Sequence, residues 1–199
     1  MTYKFEKLLI ATGNQGKFKE FKSYFADFPF RCVSTNGFSI DEPEENGSSF
    51  EENALIKAKY YSGMTNLPAL ADDSGLIVDQ LDGRPGIFSA RWALPNKDFS
   101  VAITKVKDEL LKLGVDLSGV TGSFYCALCL YMPNGEYIEA SGKVSGDISF
   151  PPRGNNGFGY DPIFIPHGEK LTFAEMPAAE KQQYSHRMRA LLKLKDILQ

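Results

Sequence analysis

An apolar run, Leu67 to Ala71, leads straight into two adjacent carboxylates, Asp72 and Asp73, then Ser74 and Gly75, and resumes as Leu76-Ile77-Val78. Apolar runs this short fit buried strands. The polar tetrad between them predicts a strand, a tight break and a second strand, because Asp, Ser and Gly are ordinary turn residues. Side-by-side carboxylates at a strand end repel each other and gain little by packing. A divalent cation turns that repulsion into binding. By itself the segment allows two readings, a polar turn or a metal-binding strand end.

Elements of both hydrophobic periods surround this segment. Leu8-Leu9-Ile10-Ala11 reads as a buried strand ending at Thr12-Gly13-Asn14, followed by a helix with Phe18, Phe21 and Phe25 on one face. Phe30 to Ser34 is a second strand, and Asn36 to Gly47 a polar, acidic loop. Ser48-Ser49-Phe50-Glu51-Glu52 carries two overlapping capping signals and opens a helix to about Ser62, with Phe50, Ala54, Ala58 and Tyr61 as its apolar stripe. Asp98 to Leu113 is a further helix. Phe124 to Met132 and Tyr137 to Ser145 form a hairpin across Pro133-Asn134-Gly135. After a Gly-, Pro- and Asn-rich loop from Pro151 to Tyr160 come a short strand, Pro162 to Ile165, and a last helix, Ser185 to Leu198, with Met188, Leu191, Leu192 and Leu198 turned inward. Early strand–helix alternation and a late hairpin predict an α/β fold with a mixed sheet, residues 1–199 forming a single domain.

With 43% apolar and 24% charged residues, the chain can bury a real core. Its net charge of −3 carries no nucleic-acid footprint, and no apolar run approaches the roughly 20 residues that span a bilayer. The opening Met1 to Lys7 lacks the layout of a secretory leader. Three cysteines, an odd number, suggest reduced thiols and a cytoplasmic location. Cys126 and Cys129 lie three apart in a strand, a spacing that suits core packing better than zinc.

Several segments suit an anionic, flat ligand. Thr12-Gly13-Asn14-Gln15-Gly16-Lys17, between a strand and a helix, offers free backbone N–H groups, close approach at glycine and a lysine. It is not a Walker A loop, since two residues separate the glycines and Phe18 follows the lysine. A cation in a helix's first turn opposes the macrodipole, so Lys17 breaks a local rule. The last helix does the same with His186, Arg187 and Arg189 behind the N-cap candidate Ser185. Asn53 and Lys57 share a helix face offset from the apolar stripe, and Glu44-Glu45 could reach the same metal as Asp73. In Gly157-Phe158-Gly159-Tyr160-Asp161 the glycines clear Phe158 for stacking on a flat ligand, and Asp161 offers acceptors to its edge. Each segment alone also admits a plain structural reading: a strand-to-helix turn, a solvated helix end, surface charge, a glycine-rich turn.

Together, and in this order, these segments resemble the inosine/xanthosine triphosphate pyrophosphatase family, the HAM1-like non-canonical purine NTP pyrophosphatases. Pro85-Gly86-Ile87 with Ser89-Ala90-Arg91, Ala174-Glu175-Met176 and Glu180-Lys181 match as well, so the resemblance covers nearly the whole chain. It implies an elongated, two-lobed fold around a long mixed twisted β-sheet flanked by helices, an active site in the cleft between the lobes, and a homodimer. It also implies Mg²⁺-dependent hydrolysis of ITP, dITP and XTP to the monophosphate and pyrophosphate, clearing deaminated purines from the nucleotide pool. On this resemblance Asp73 is the general base and, with Glu44 and nearby Glu45, a metal ligand; Asp72 orients Asp73 or the metal's waters. Thr12 to Lys17 and Lys57 meet the triphosphate, and Ser74 a phosphate or the ribose. Phe158 stacks on the base, within the binding loop that includes Gly159 and Tyr160, and Asp161, Lys181, His186 and Arg187 surround the base's edge.

Two alternatives have distinct signatures. A Maf-like enzyme would open on a different motif and lack the Ser185-His186-Arg187 segment. A catalytically silent nucleotide-binding regulator would lack an acid at position 73 or 44, and both are acidic.

Overall fold

The computed structural model describes residues 5–198, with side chains for 5–196. The segment preceding residue 5, read above for a leader, and the side chain of Leu198 lie outside the described residues. Six strands form one mixed sheet in the order β2-β1-β3-β4-β5-β6. β1 (Lys7–Ile10) runs parallel to β2 (Arg31–Ser34) and to β3 (Ala69–Val78). β4 (Thr121–Tyr131) and β5 (Tyr137–Ile148) are joined by the expected hairpin turn, and β5 pairs antiparallel with β6 (Phe164–Pro166). The expected α/β class with a mixed sheet is what the chain adopts.

The chain divides into two compact units. The first contains the chain through Asp73, Ala127–Ser141, and the residues from Ala190 onward. Its helices are α1 (Gln15–Tyr24) and α2 (Phe50–Thr65). The expected stripe of α2 (Phe50, Ala54, Ala58, Tyr61) is buried, as are Phe21 and Phe25 and the strand residues Leu8, Leu9, Ile10 and Leu70. The capping signal is realised: Ser49 Oγ accepts from Glu52 N–H at 3.1 Å, and Glu52 reaches back to Ser48 N–H at 2.7 Å.

The second unit comprises Ser74–Cys126 and Gly142–Arg189. It holds α3 (Phe99–Lys112), α4 (Ala178–Tyr184) and the start of α5 (His186–Leu198). Leu76, Val78, Leu81, Ile103, Val106, Phe124, Phe164 and Phe173 form its core.

Four details differ from the sequence reading. β3 is unbroken: Asp72-Asp73-Ser74-Gly75 lies within one ten-residue strand. Adjacent strand residues point to opposite faces, and each carboxylate finds its own partner there, Lys17 for Asp72 and Asn53 for Asp73, so no turn is needed. The strand expected from Pro162 begins at Phe164, after a 3₁₀ turn over Asp161–Ile163, because proline has no N–H to give a ladder. α4 was not expected; seven residues are too few to show a period. In α5, Leu191 and Leu194 are buried, whereas Leu192 is half exposed and Met188 only partly covered. Positions 190, 191 and 194 share one face of a 3.6-residue helix and 192 does not.

Candidate active site

The chemistry-bearing residues form two clusters, one in each unit. The first grows from the end of β1. Thr12 Oγ1 accepts from Asn14 N–H at 3.1 Å, and the Asn14 side chain accepts from Lys17 N–H at 3.1 Å, capping α1. Gln15, Gly16 and Lys17 form the helix's first turn. A Cβ at Gly13 would meet only the tip of the exposed Glu42 side chain, which can swing aside. Lys17, the cation that opposes the macrodipole, has a local reason to be there. Its Nζ stands 2.7 Å from Asp72 Oδ2, and Asp72 is almost fully buried. A buried carboxylate needs such a partner, and the pair outweighs the few tenths of a kcal/mol the dipole costs.

α2 supplies the rest. Asn53, wholly buried, donates from Nδ2 to Asp73 Oδ2 at 3.1 Å and accepts from Gly47 N–H at 2.8 Å, tying the acidic loop to the strand. One turn on, Lys57 is ion-paired with Glu45. Burial opposes the Lys57 charge, but Glu45, Asp72 and Asp73 together hold the ammonium above its usual range. For Asp73 the balance goes the other way. Burial pushes its carboxyl up to about 6, against the pull of Lys57 and Lys17, with Glu45 adding to the rise. Asp73 is therefore a stronger base than a surface aspartate and still ionised at neutral pH. Glu44, expected as the metal ligand, is exposed, and Glu45 is the member of the pair that faces the cluster.

This donor set fits a hard divalent cation. The carboxylates of Asp73 and Glu45 are hard oxygen donors of the kind such an ion takes.

The second cluster surrounds Phe158. Gly157 has φ +73°, and a Cβ there would collide with Asp161 Oδ2. Asp161 is buried, and its Oδ2 accepts from Phe158 N–H at 2.8 Å and from Lys181 Nζ at 2.6 Å. The Lys181 ammonium lies 4.6 Å from the centre of the half-buried Phe158 ring and 5.6 Å from that of Phe173. Ser185 Oγ accepts from Met188 N–H at 3.1 Å and so caps α5 as expected. His186 stacks on Phe124, centroids 4.9 Å apart and planes 13° from parallel. Arg187, 2% exposed, brings its guanidinium 5.8 Å from the Phe158 centroid and donates from Nη2 to Ser74 Oγ at 3.4 Å. Arg189, grouped with these cations in the sequence, is exposed and donates instead to the Lys143 carbonyl.

Gly159, with φ +69°, carries the loop past Phe158. Tyr160, expected to bind substrate, has its ring buried and its hydroxyl on the Ser89 carbonyl at 2.9 Å. Three features escaped the sequence reading: the Asn53 bond to Asp73, the pairing of Asp72 with Lys17, and the choice of Glu45 over Glu44. The four-residue spacing of Asn53 and Lys57 was the available signal for the first. For the others, sequence adjacency does not say which of two acids turns inward.

A sequence model of the Ham1 family matches residues 8–197. A protein of Caulobacter vibrioides named dITP/XTP pyrophosphatase is 48% identical over 96% of this chain and 97% of its own length. One of the same name from Rhodospirillum centenum is 45% identical over 95% and 93%. The structure of a HAM1 protein from Coxiella burnetii superposes with a TM-score of 0.88 at 38% identity, covering 98% of both chains. The Staphylococcus aureus Ham1 protein gives 0.83 at 38% identity, over 97% and 98%. The α/β fold around a mixed sheet is thus shared with the HAM1 structures, and the sequence with proteins named dITP/XTP pyrophosphatase. The chain belongs to the Ham1 family.

Proposed function

We propose that this protein is a nucleoside triphosphate pyrophosphatase that hydrolyses deaminated purine triphosphates, ITP, dITP and XTP, between the α- and β-phosphates. The names of its relatives support the reaction class. The observation that carries the mechanism is Asp73: a buried carboxylate raised to about 6, held by Asn53 and influenced by Lys17 and Lys57.

In this reading Asp73 takes the proton of a water whose oxygen attacks the α-phosphorus. The bond from that phosphorus to the bridging oxygen breaks, and pyrophosphate departs with the electron pair. Lys17 and Lys57 stabilise the charge that collects on the leaving group. The backbone from Thr12 to Gly16, capped by Asn14, lies at a helix N-terminus that favours phosphate oxygens. Asp73 and Glu45 would hold Mg²⁺, which when bound supplies electrostatic stabilisation of the phosphate oxygens. Asp72 keeps Lys17 in place rather than acting on substrate.

Phe158 supplies the stacking surface for the base, and Asp161 and Lys181 fix the loop that presents it. Hypoxanthine and xanthine carry a carbonyl at position 6, and adenine an amino group. A donor from Arg187 or His186 satisfies the carbonyl but meets a second donor in adenine. Such a buried mismatch costs several kcal/mol, a discrimination of about 10³.

The test is pyrophosphate release from ITP, XTP, dITP, ATP and GTP side by side with Mg²⁺ and with EDTA. Fast, metal-dependent release confined to the first three is expected. Release chiefly from ATP and GTP would overturn the base argument, and none from any of the five would overturn the reaction.

A further inference from the structure

We propose that Ser89 is a positioning residue for purine recognition, tying the strand that carries Ser74 to the loop that carries Phe158. The inference rests on the function proposed above and lies wholly within the second unit.

Ser89, 4% exposed, follows the 3₁₀ turn Gly86–Phe88. Its hydroxyl donates to the Gly86 carbonyl at 2.6 Å, which orients the oxygen lone pairs. That oxygen accepts from Leu76 N–H at 2.9 Å. β1 pairs with β3 at Ala69 and Leu70, so at Leu76 a side chain does the work of a neighbouring strand. Leu76 lies two residues beyond Ser74, whose hydroxyl receives Arg187 Nη2.

The Ser89 carbonyl faces the other way and accepts from the Tyr160 hydroxyl at 2.9 Å. Tyr160 is buried, with its ring edge-on to Phe99 at 5.4 Å, and burial keeps the phenol protonated and a donor. Phe158 lies two residues before it, on a loop whose glycines 157 and 159 both have positive φ. Such a loop holds its ring in place only if it is anchored. Asp161 anchors one side of the ring's backbone, and Tyr160 through Ser89 anchors the other. One small residue thereby links the stacking aromatic to the strand that receives Arg187. A misplacement of even about 1 Å at such a constellation is costly.

A residue acting through geometry at the base end changes base affinity and leaves phosphate affinity alone. The full chain, wild type, Tyr160→Phe and Ser89→Ala, is titrated by calorimetry with inosine monophosphate and with pyrophosphate, and melted in parallel. Tyr160→Phe is nearly isosteric and keeps the fold testable if Ser89→Ala is poorly stable. Both variants are expected to bind inosine monophosphate about tenfold more weakly, with pyrophosphate affinity within twofold of wild type. The double variant is expected to lose little more than the worse single one, because the two groups act as one unit. In turnover of ITP the loss is expected mainly in KM. Folded Tyr160→Phe protein that binds inosine monophosphate like wild type, or that weakens for both ligands by the same factor, would overturn the inference alone. Wild-type protein that binds no inosine monophosphate would overturn the proposed function and this inference together.

Discussion

Around Asp73, charged side chains hold one another in exchangeable pairs: Lys17 with Asp72, Lys57 with Glu45. Around Phe158, the Asp161 carboxylate is locked by a backbone N–H and by Lys181, the Lys181 ammonium and Arg187 guanidinium lie against the Phe158 ring, and His186 stacks on Phe124. The first arrangement neutralises itself in the free protein. A polyphosphate offers the lysines stronger partners and a divalent cation offers the acids the same, so the pairs can exchange. The second arrangement has little charge to exchange and much shape to keep. On the proposed function, the difference means that reaction and selectivity are encoded separately, by a base-blind charge cluster in one unit and a charge-buffered aromatic cluster in the other.

The largest test of that division is Asp73→Asn. Its kcat on ITP should fall about 10³-fold or more, the range of a lost general base and metal ligand together, while triphosphate binding persists. Near-normal turnover would remove Asp73 from the chemistry. Lys57→Met should lower kcat/KM about 10²-fold, by the same factor for ITP and ATP. A loss confined to ITP would mean that the charge cluster reads the base after all, and the contrast would break. Arg187→Ala should shrink the ITP-to-ATP preference by about tenfold to a hundredfold while leaving inhibition by pyrophosphate alone. An unchanged preference would move base selection to other residues.

The smallest effect is on stability. Asp73 binds its proton more tightly folded than unfolded, with a carboxyl at about 6 against 3.8. Stability from this group is therefore lost as pH rises from about 4 to 6 and stays lost above, by up to about 3 kcal/mol. In metal-free protein Asp73→Asn should raise Tm by a few degrees at pH 8 and hardly at all near pH 4. An equal gain at both pH values would assign the effect to packing. A functional acid that weakens its own fold is the expected mark of a site selected for chemistry.

Much of this was legible in the chain. The apolar stripe of α2, its capping signal, the hairpin at Pro133-Asn134-Gly135 and the cap at Ser185 are local, short-range chemistry, and they folded as read. The rule-breaking cation Lys17 was expected to meet a phosphate, and in the structure it meets an anion of the chain itself. That anion in the free protein is Asp72, a partner 55 residues away that no local pattern names. The unbroken β3 was hidden for the same reason. Asp-Asp-Ser-Gly is turn chemistry until Lys17 and Asn53 arrive from α1 and α2 to satisfy the buried acids. Tyr160 was expected to touch substrate because it stands between Gly159 and Asp161, yet its hydroxyl belongs to Ser89, 71 residues earlier.

In the proposed reaction, water activated by Asp73 attacks the α-phosphorus. Hydrolysis of ITP in ¹⁸O-labelled water, followed by mass spectrometry of both products, tests it most directly. The label should appear in the inosine monophosphate and not in the pyrophosphate. Label in the pyrophosphate would place the attack on the β-phosphorus and contradict the account.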